Sequence, residues 1–490
     1  MSIKIKINGR EIECEPGKTI LQVALSSGIY IPHFCYHPRL SIKGSCRMCL
    51  VWIEKRPKLE IACNTVVADG MVIETDNEEV RKARRAVLEF NLKNHPIDCP
   101  ICDKAGECTL QDFYMAYDAE PSRLSPRDQK VKKGKRIPMG PTLVLDQERC
   151  VMCHRCIRFM REIAKNDCIT DARRGDRTII TTFPGEVVDD PYSMNLIDIC
   201  PVGAWTGRDF RFKKRVWLLS KCPSICPFCA RGCNIFIEHE KDIVYRITPR
   251  VNEQVNKSWL CDEGRLAYKA LNENRLTRAL LRNGKELKEV SMGSALSYGA
   301  KLLNEHQGKI LGIVSASASL EEAELFKKLI QSAGGELAIH RRKEGKDDFL
   351  LRRADRDSNL RGLKQLGIDR AVGEAIVKAE LVVVLESLYS EPVSSELGKK
   401  MIVLSPRRSE MVESALLSLP IGAYAEIEGT FVNCDGISQR FYPGLQLKGD
   451  AKAGVDMIRF LGKKMGIDLQ LSMESARSAD ACVAPVSESE

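Results

Sequence analysis

The chain has 490 residues, 29% of them charged, with a formal net charge of +9. That length exceeds what one core organises and implies roughly three to five domains of about 100–150 residues each. The charge excess is small for the length, so it describes a soluble surface and argues against nucleic acid as a partner.

The opening Met1-Ser-Ile-Lys-Ile-Lys-Ile alternates apolar and charged residues, which reads as a strand and not as a secretory or twin-arginine leader. No apolar run approaches the roughly 20 residues that cross a bilayer, so no direct membrane span is expected. The longest pure run, Leu381–Leu385, reads as a buried strand. Twenty cysteines without an export signal argue for metal binding in a reducing compartment, with folding and metal loading expected in the cytoplasm.

Residues 1–78 read as a small β-rich domain. Ile3, Ile5 and Ile7 alternate, Asn8-Gly9 is a two-residue hairpin turn, and a second strand starts at Arg10. Thr19 caps a helix over Ile20–Ser27 that Gly28 ends. A loop then carries Cys35, Cys46 and Cys49, a strand covers Leu50–Ile53, and Cys63 follows. Two strands, a helix and a cysteine loop form the order of a β-grasp ferredoxin. The spacing fits a [2Fe–2S] centre, although its first gap is wider than in the plant-type pattern; zinc is the alternative.

Residues 79–118 read as helical around a second set. Val80, Ala83, Val87, Leu88 and Leu92 recur near helical spacing from Glu78 to Lys93, and Pro96 ends that helix. His95, Cys99, Cys102 and Cys108 follow, then a helix over Leu110–Tyr117. Three thiolates and one imidazole complete a four-donor site for zinc or for an iron–sulfur cluster, with Asp98 or Asp103 as substitute donors. Residues 119–141 read as a linker with four prolines. Its basic run Lys130–Arg136 is expected to be a solvated loop, with docking to an acidic partner as the other reading.

Residues 142–216 carry Cys150, Cys153 and Cys156, the opening of the bacterial ferredoxin pattern whose fourth cysteine is exchanged between two clusters. Met160 stands where that fourth cysteine would be, and Cys200-Pro201 supplies the matching Cys-Pro. This is a ferredoxin-like domain keeping one [4Fe–4S] cluster, with Cys168 expected to be a buried thiol. Residues 217–273 hold a further set on short strands at Ile235–Glu238 and Ile243–Ile247. It comprises Cys226, Cys229, Cys233 and Cys261, with Cys222 able to compete for a place. This set also fits a [4Fe–4S] centre.

From residue 274 the metal pattern stops. Strands at Lys309–Ser315, Glu336–His340, Leu381–Leu385 and Met401–Leu404, with a helix over Leu320–Ser332, imply an α/β layer with a largely parallel sheet. No glycine-rich nucleotide fingerprint occurs, and Gly312 and Gly334-Gly335 read as turn glycines. The charged stretch 341–370 reads as an exposed insertion, and residues 474–490 as a flexible tail. Cys14, Cys168, Cys222, Cys434 and Cys482 are left outside the four sets.

Four sets in one chain have one obvious use, the carriage of single electrons between two places. No flavin, nicotinamide or quinone motif is present, so hydride chemistry belongs to a partner. The order of the four sets resembles the G-type (75 kDa) iron–sulfur subunit family of NADH-quinone oxidoreductase (respiratory complex I), over residues 1 to about 273. The segment Ile427-Glu-Gly-Thr-Phe-Val-Asn-Cys-Asp-Gly-Ile-Ser-Gln-Arg440 resembles part of the molybdopterin oxidoreductases. The resemblance implies His95 as a cluster ligand, one [2Fe–2S] and three [4Fe–4S] clusters, and relay from a flavin- and NADH-binding subunit toward quinone. It further implies a [2Fe–2S] partner subunit, downstream iron–sulfur and quinone-site subunits, and a place at the cytoplasmic face of the cell membrane through the complex. In that family the Cys226/Cys229/Cys233/Cys261 cluster occurs in some members and lies off the main path. The region 274–473 is too short for a full molybdopterin domain and is expected to be a scaffold without molybdopterin, Cys434 being a core thiol. An electron-input module of an NAD-linked formate dehydrogenase or hydrogenase is the first alternative. A zinc-stapled assembly protein is the second.

Overall fold

The computed structural model describes residues 2–118, 121, 130–373, 375–391, 393 and 400–472. The chain divides into two compact units, Met1–Leu218 and Leu219–Glu490. Part of the expected linker (119–120 and 122–129), the expected tail and Cys482 lie outside the described residues.

The first unit opens with strands β1 (Ile3–Ile7) and β2 (Arg10–Cys14), paired antiparallel with Ile7 opposite Arg10. Asn8 and Gly9 both take positive φ, 52° and 80°, as the two-residue turn requires. Helix α1 (Ile20–Ser26) starts at a capping box in which Thr19 and Gln22 satisfy each other's backbone N–H groups. Strands β3 (Leu50–Ile53), β4 (Glu60–Ile61) and β5 (Val72–Glu74) complete a five-stranded sheet of order β2-β1-β5-β3-β4. Ile5, Ile7, Ile20, Leu21, Val51, Ile53 and Ile73 form its core. Each fully buried aliphatic side chain contributes about 1.5–3 kcal/mol.

Helix α2 (Glu78–Asn94) is capped by Asn77 and ends at His95, whose backbone is extended ahead of Pro96. Helix α3 is Thr109–Tyr117. Short elements follow: β6 (Ile137–Pro138), β7 (Leu143–Leu145), α4 (Arg155–Arg158), β8 (Thr170–Ala172), β9 (Ile179–Thr181), α5 (Asn195–Ile199) and β10 (Trp205–Gly207). The basic run before β6 is a largely exposed loop, tethered through three of its lysines. Lys130 Nζ donates to His95 O at 2.8 Å, Lys133 Nζ to Thr178 O at 2.8 Å, and Lys135 pairs with Glu148 at 3.1 Å.

The second unit begins with the antiparallel sheet β11 (Ser220–Ile225), β12 (Asn234–Glu240) and β13 (Ile243–Pro249), then α6 (Asp262–Leu266) and α7 (Lys269–Asn272). Next come β14 (Ala279–Asn283), β15 (Glu286–Val290), α8 (Met292–Glu305), β16 (Ile310–Ser315), α9 (Leu320–Ser332), β17 (Glu336–His340), α10 (Leu360–Gln365), α11 (Ala375–Lys378), β18 (Leu381–Leu385), β19 (Lys400–Ser405), α12 (Glu410–Ser414) and β20 (Leu417–Pro420). The seven-stranded sheet runs β15-β14-β20-β19-β18-β16-β17, parallel from β20 through β17. In β18, Leu381, Val383 and Leu385 face one core while Val382 and Val384 face another. A strand covered on both faces needs a continuous apolar run, which explains its composition. The hairpin β21 (Gly429–Val432) with β22 (Ser438–Phe441), and helix α13 (Gly454–Lys464), close the unit.

Two expectations fail here. Gly312 lies inside β16, where an added Cβ would stand 2.6 Å from Ile330 Cγ1, so it is a close-packing glycine and not a turn. The charged stretch after β17 is only partly an exposed insertion: Lys343, Glu344, Lys346 and Asp347 are exposed, whereas Arg342, Asp357, Ser358 and Asn359 are buried. Arg342 and Asp357 pair with each other inside, which composition alone does not reveal. No helix among the described residues is long and apolar enough to cross a membrane.

Candidate iron–sulfur centres

All cysteines among the described residues are free thiols. In the first set Cys35, Cys49 and Cys63 are buried and Cys46 is half-buried. They converge from the loop after α1, the loop entering β3 and the turn after β4. The Cys35 thiol touches those of Cys46 and Cys63, and Cys49 touches Cys63. Those contacts, followed by the backbone N–H groups of Cys46 and Ser45, hold the Cys35 thiol well below its ordinary range. Gly44 and Arg47 take φ of 64° and 59°, the kind of turn that aims successive N–H groups at an anion.

The second set brings His95 from the end of α2, Cys99 and Cys102 from a 3-10 turn, and Cys108 from the N-cap of α3. Cys102 and Cys108 are buried. Burial pushes the Cys108 thiol up to about 11. His95 Nδ1 is buried with no hydrogen-bond partner. Burial and then the Arg149 cation hold the ring's pKa down at about 4, so its lone pair stays available. The two carboxylates that might have substituted are occupied. Asp98 accepts from Arg149 at 2.9 Å, and Asp103 accepts from the Phe212 N–H at 2.8 Å.

In the third set Cys150 and Cys153 come from the loop entering α4, Cys156 from α4 itself and Cys200 from the end of α5. Their thiols line one cavity closed by Val202 and Trp205. Met152 and His154 take φ of 50° and 58°. The Met152 N–H donates to Cys150 Sγ at 3.4 Å. Burial pushes Cys150 up to about 12 and Cys153 up to about 11. Trp205 is buried, its indole Nε1 has no partner among nitrogen and oxygen atoms, and it approaches the Cys156 thiol.

The fourth set, in the second unit, joins Cys226, Cys229 and Cys233 from the loop between β11 and β12 with Cys261 at the N-cap of α6. All four are buried. The Gly264 N–H donates to Cys261 Sγ at 3.4 Å. A Cβ on Gly264 would stand 3.1 Å from Cys226 Sγ and 3.4 Å from Cys261 Sγ. Cys222 does not join them: its thiol faces Ile237 O at 3.6 Å and the Gly444 backbone. The charged stretch packs here. Arg342 donates to Phe228 O at 2.9 Å and Pro227 O at 3.1 Å, while Arg352 and Arg356 pair with Glu263. Cys168 and Cys434 are half-buried rather than core thiols. Cys434 sits in a polar loop with its thiol 3.7 Å from Asp435 Oδ1.

The donor sets fit polynuclear clusters. They are buried thiols with N–H groups turned toward sulfur, and burying four thiolates needs a cationic centre to offset desolvation. Among the described residues no three donors converge tightly enough for a single metal ion. In a [4Fe–4S] cluster each ligand binds a different iron and in a [2Fe–2S] cluster two bind each iron, so the four donors need no common point.

Within the first unit the sets interlock in an order that differs from the chain. Arg155 Nη2 donates to Tyr36 O at 2.6 Å and Nη1 to Ile199 O at 3.2 Å; Arg158 donates to Cys35 O and, at 3.4 Å, to Cys153 O. These bonds tie the first set to the third. Thr109 N–H donates to Pro201 O at 2.9 Å, Lys104 Nζ donates to Ile197 O at 3.3 Å, and Gly203 lies against Cys102, tying the third to the second. None of these arginines or glycines stood out in the sequence. Arg155 and Arg158 flank Cys156, but an isolated basic residue carries no signal of burial.

Comparison with known proteins finds iron–sulfur domains along the same part of the chain. Residues 1–78 match a 2Fe-2S iron-sulfur cluster binding domain and residues 84–123 the NADH-ubiquinone oxidoreductase-G iron-sulfur binding region. Residues 140–206 match the ferredoxin-like domain of NADH-quinone oxidoreductase subunit 3, and residues 219–269 the NADH-ubiquinone oxidoreductase NDSU1/NuoG-like 4Fe-4S domain. The G subunit of NADH-quinone oxidoreductase from Rickettsia conorii is 42% identical over 333 residues, 68% of this chain and 49% of that protein. The iron–sulfur part of the chain belongs to the G-type (75 kDa) subunit family of NADH-quinone oxidoreductase. A second relative, the NADH-ubiquinone oxidoreductase 75 kDa subunit of Reclinomonas americana, is 40% identical over 334 residues, 68% of this chain and 48% of that protein. The chain spans about half the length of these curated relatives. A chain from the crystal structure of NAD+-reducing [NiFe]-hydrogenase in the H2-reduced state is 28% identical, with a TM-score of 0.40, covering 44% of this chain and 92% of that one. A likeness that loose carries no argument about function.

Proposed function

We propose that the chain is the iron–sulfur electron-relay subunit of an NADH-quinone oxidoreductase. On this reading it holds one [2Fe–2S] cluster at Cys35, Cys46, Cys49 and Cys63. Three [4Fe–4S] clusters sit at His95/Cys99/Cys102/Cys108, Cys150/Cys153/Cys156/Cys200 and Cys226/Cys229/Cys233/Cys261. The observation that carries it is the row formed by the first, third and second sets, joined by direct hydrogen bonds between their ligand loops. Bound clusters of this kind accept and release single electrons. The chain's own residues bury the thiolates, aim N–H groups at sulfur and hold neighbouring loops in fixed register.

A flavin- and NADH-binding subunit then supplies electrons. A [2Fe–2S] partner subunit and iron–sulfur and quinone-site subunits complete the complex, on the cytoplasmic face of the membrane. The α/β region 274–473 acts as a molybdopterin-oxidoreductase-like scaffold without molybdopterin; its half-buried Cys434 beside Asp435 belongs to no donor set.

The test is anaerobic purification with metal and sulfide analysis and electron paramagnetic resonance at graded potentials. About fourteen irons per chain and four separable cluster signals are expected. A zinc-dominated preparation with no such signals refutes the proposal.

A further inference from the structure

Two arginines of α4 stand between the first and third cysteine sets with no carboxylate in ion-pair contact among the described residues. Arg158 is buried, and it donates to Cys35 O, Ser41 O, His154 O and Cys153 O. Arg155 is half-buried and donates to Tyr36 O and Ile199 O. Every hydrogen-bond partner is a backbone carbonyl; among the described residues neither guanidinium is in an ion pair. Glu162 acts on Arg158 from beyond ion-pair distance, and its oxygens accept from the Ser41 N–H and hydroxyl. Desolvating a cation is costly unless a negative charge offsets it. The negative charge available on both sides is that of the thiolate sets: Cys35 and Cys153 both act on Arg158. Apart from Ser41, the bonded carbonyls belong to ligands or their immediate neighbours, Cys35 and Tyr36 on one side, Cys153, His154 and Ile199 on the other.

We infer that Arg155 and Arg158 form a cationic bridge between the first and third clusters, fixing the separation of the two ligand loops and raising both reduction potentials together. A positive charge shared by two redox sites favours the electron on either one, so neither site becomes a trap relative to the other. These are positioning residues, since they contact ligand backbone and not the reacting atoms. The inference rests on the reading that both sets hold clusters.

The test uses the full chain loaded anaerobically. Iron and sulfide content and cluster spectra of the parent come first; if the clusters are missing there, the relay reading fails. With clusters present, redox titration followed by paramagnetic resonance compares Arg158→Gln, Arg158→Lys and Arg155→Gln. The expected result is a shift of both midpoint potentials to more negative values in Arg158→Gln, largely restored in Arg158→Lys. Arg155→Gln keeps the Arg158 bonds and gives a smaller shift of both, which preserves the test if Arg158→Gln does not fold. Unmoved potentials, movement of one cluster alone, or equal shifts in the Lys and Gln variants would each overturn the bridge.

Discussion

Gly203 passes so close to Cys102 that a methyl group on its Cα would stand 2.4 Å from Cys102 Sγ and 3.2 Å from Lys104 Cβ. The contact joins the loop after Cys200 to the loop holding Cys102. Neither side has slack, because Cys102 is buried and the Cys200 loop is held by the Thr109–Pro201 bond. Gly203→Ala is expected to displace Cys102, at a cost of about 1–3 kcal/mol for overpacking. The second cluster is lost or destabilised, so iron falls by about four atoms per chain while the other three signals persist. Iron analysis with paramagnetic resonance reads this directly; full iron content would mean the loop yields without cost.

Cys222 and Cys226 are four positions apart on one strand and its following loop, yet their thiols face different surroundings. Cys226 faces Cys229 and Cys261, whereas Cys222 faces Ile237 O and Gly444. Cys226→Ser is therefore expected to abolish the fourth cluster signal, and Cys222→Ser to leave it in place. The reverse pattern would exchange the two residues in the ligand set.

Glu386, just past β18, is buried beside Ser405 and Arg407. Burial pushes its pKa up to about 7, with Ser405 and Arg407 pulling the other way. A carboxyl whose folded pKa is raised binds more protons folded than unfolded between about pH 4.5 and 7. Stability is therefore greatest at low pH and falls as pH rises through that window, by about 3 kcal/mol in total. Glu386→Gln removes the ionisation. It is expected to raise the full chain's melting temperature at pH 8 and change it little at pH 5. Equal changes at both pH values would show that Glu386 is not titrating in the fold.

Local pattern was enough for the first hairpin, for both ends of α9 and for the buried strand β18, because turn chemistry, capping and periodicity are written within a few residues. The cysteine spacing suggested the four proposed donor sets on the same local basis. The spatial order of the sets was not legible. It depends on Arg155 and Arg158 reaching Tyr36 and Cys35, residues more than a hundred positions away, and on Gly203 fitting under Cys102. The stretch after β17 misled because charge density was read as exposure, while Arg342 and Asp357 are paired and buried against the Cys226 loop. Gly312 misled because a glycine that admits Ile330 looks like one that makes a turn.

His95 offers the sharpest chemical test. It ends α2, its backbone carbonyl accepts from Lys130, and its Nδ1 is buried without a partner. An imidazole ligand is neutral where a thiolate carries one negative charge. His95→Cys retains a four-donor set but adds that charge beside the cluster, so the midpoint potential of that one signal is expected to move to a more negative value, with iron content unchanged. His95→Ala removes the donor and should cost the cluster or leave one iron labile. Because Asp98 is held by Arg149 and Lys135, it is not free to replace the lost imidazole. A His95→Cys protein whose spectrum and potential match the parent would remove His95 from the ligand set and return the fourth position to another donor.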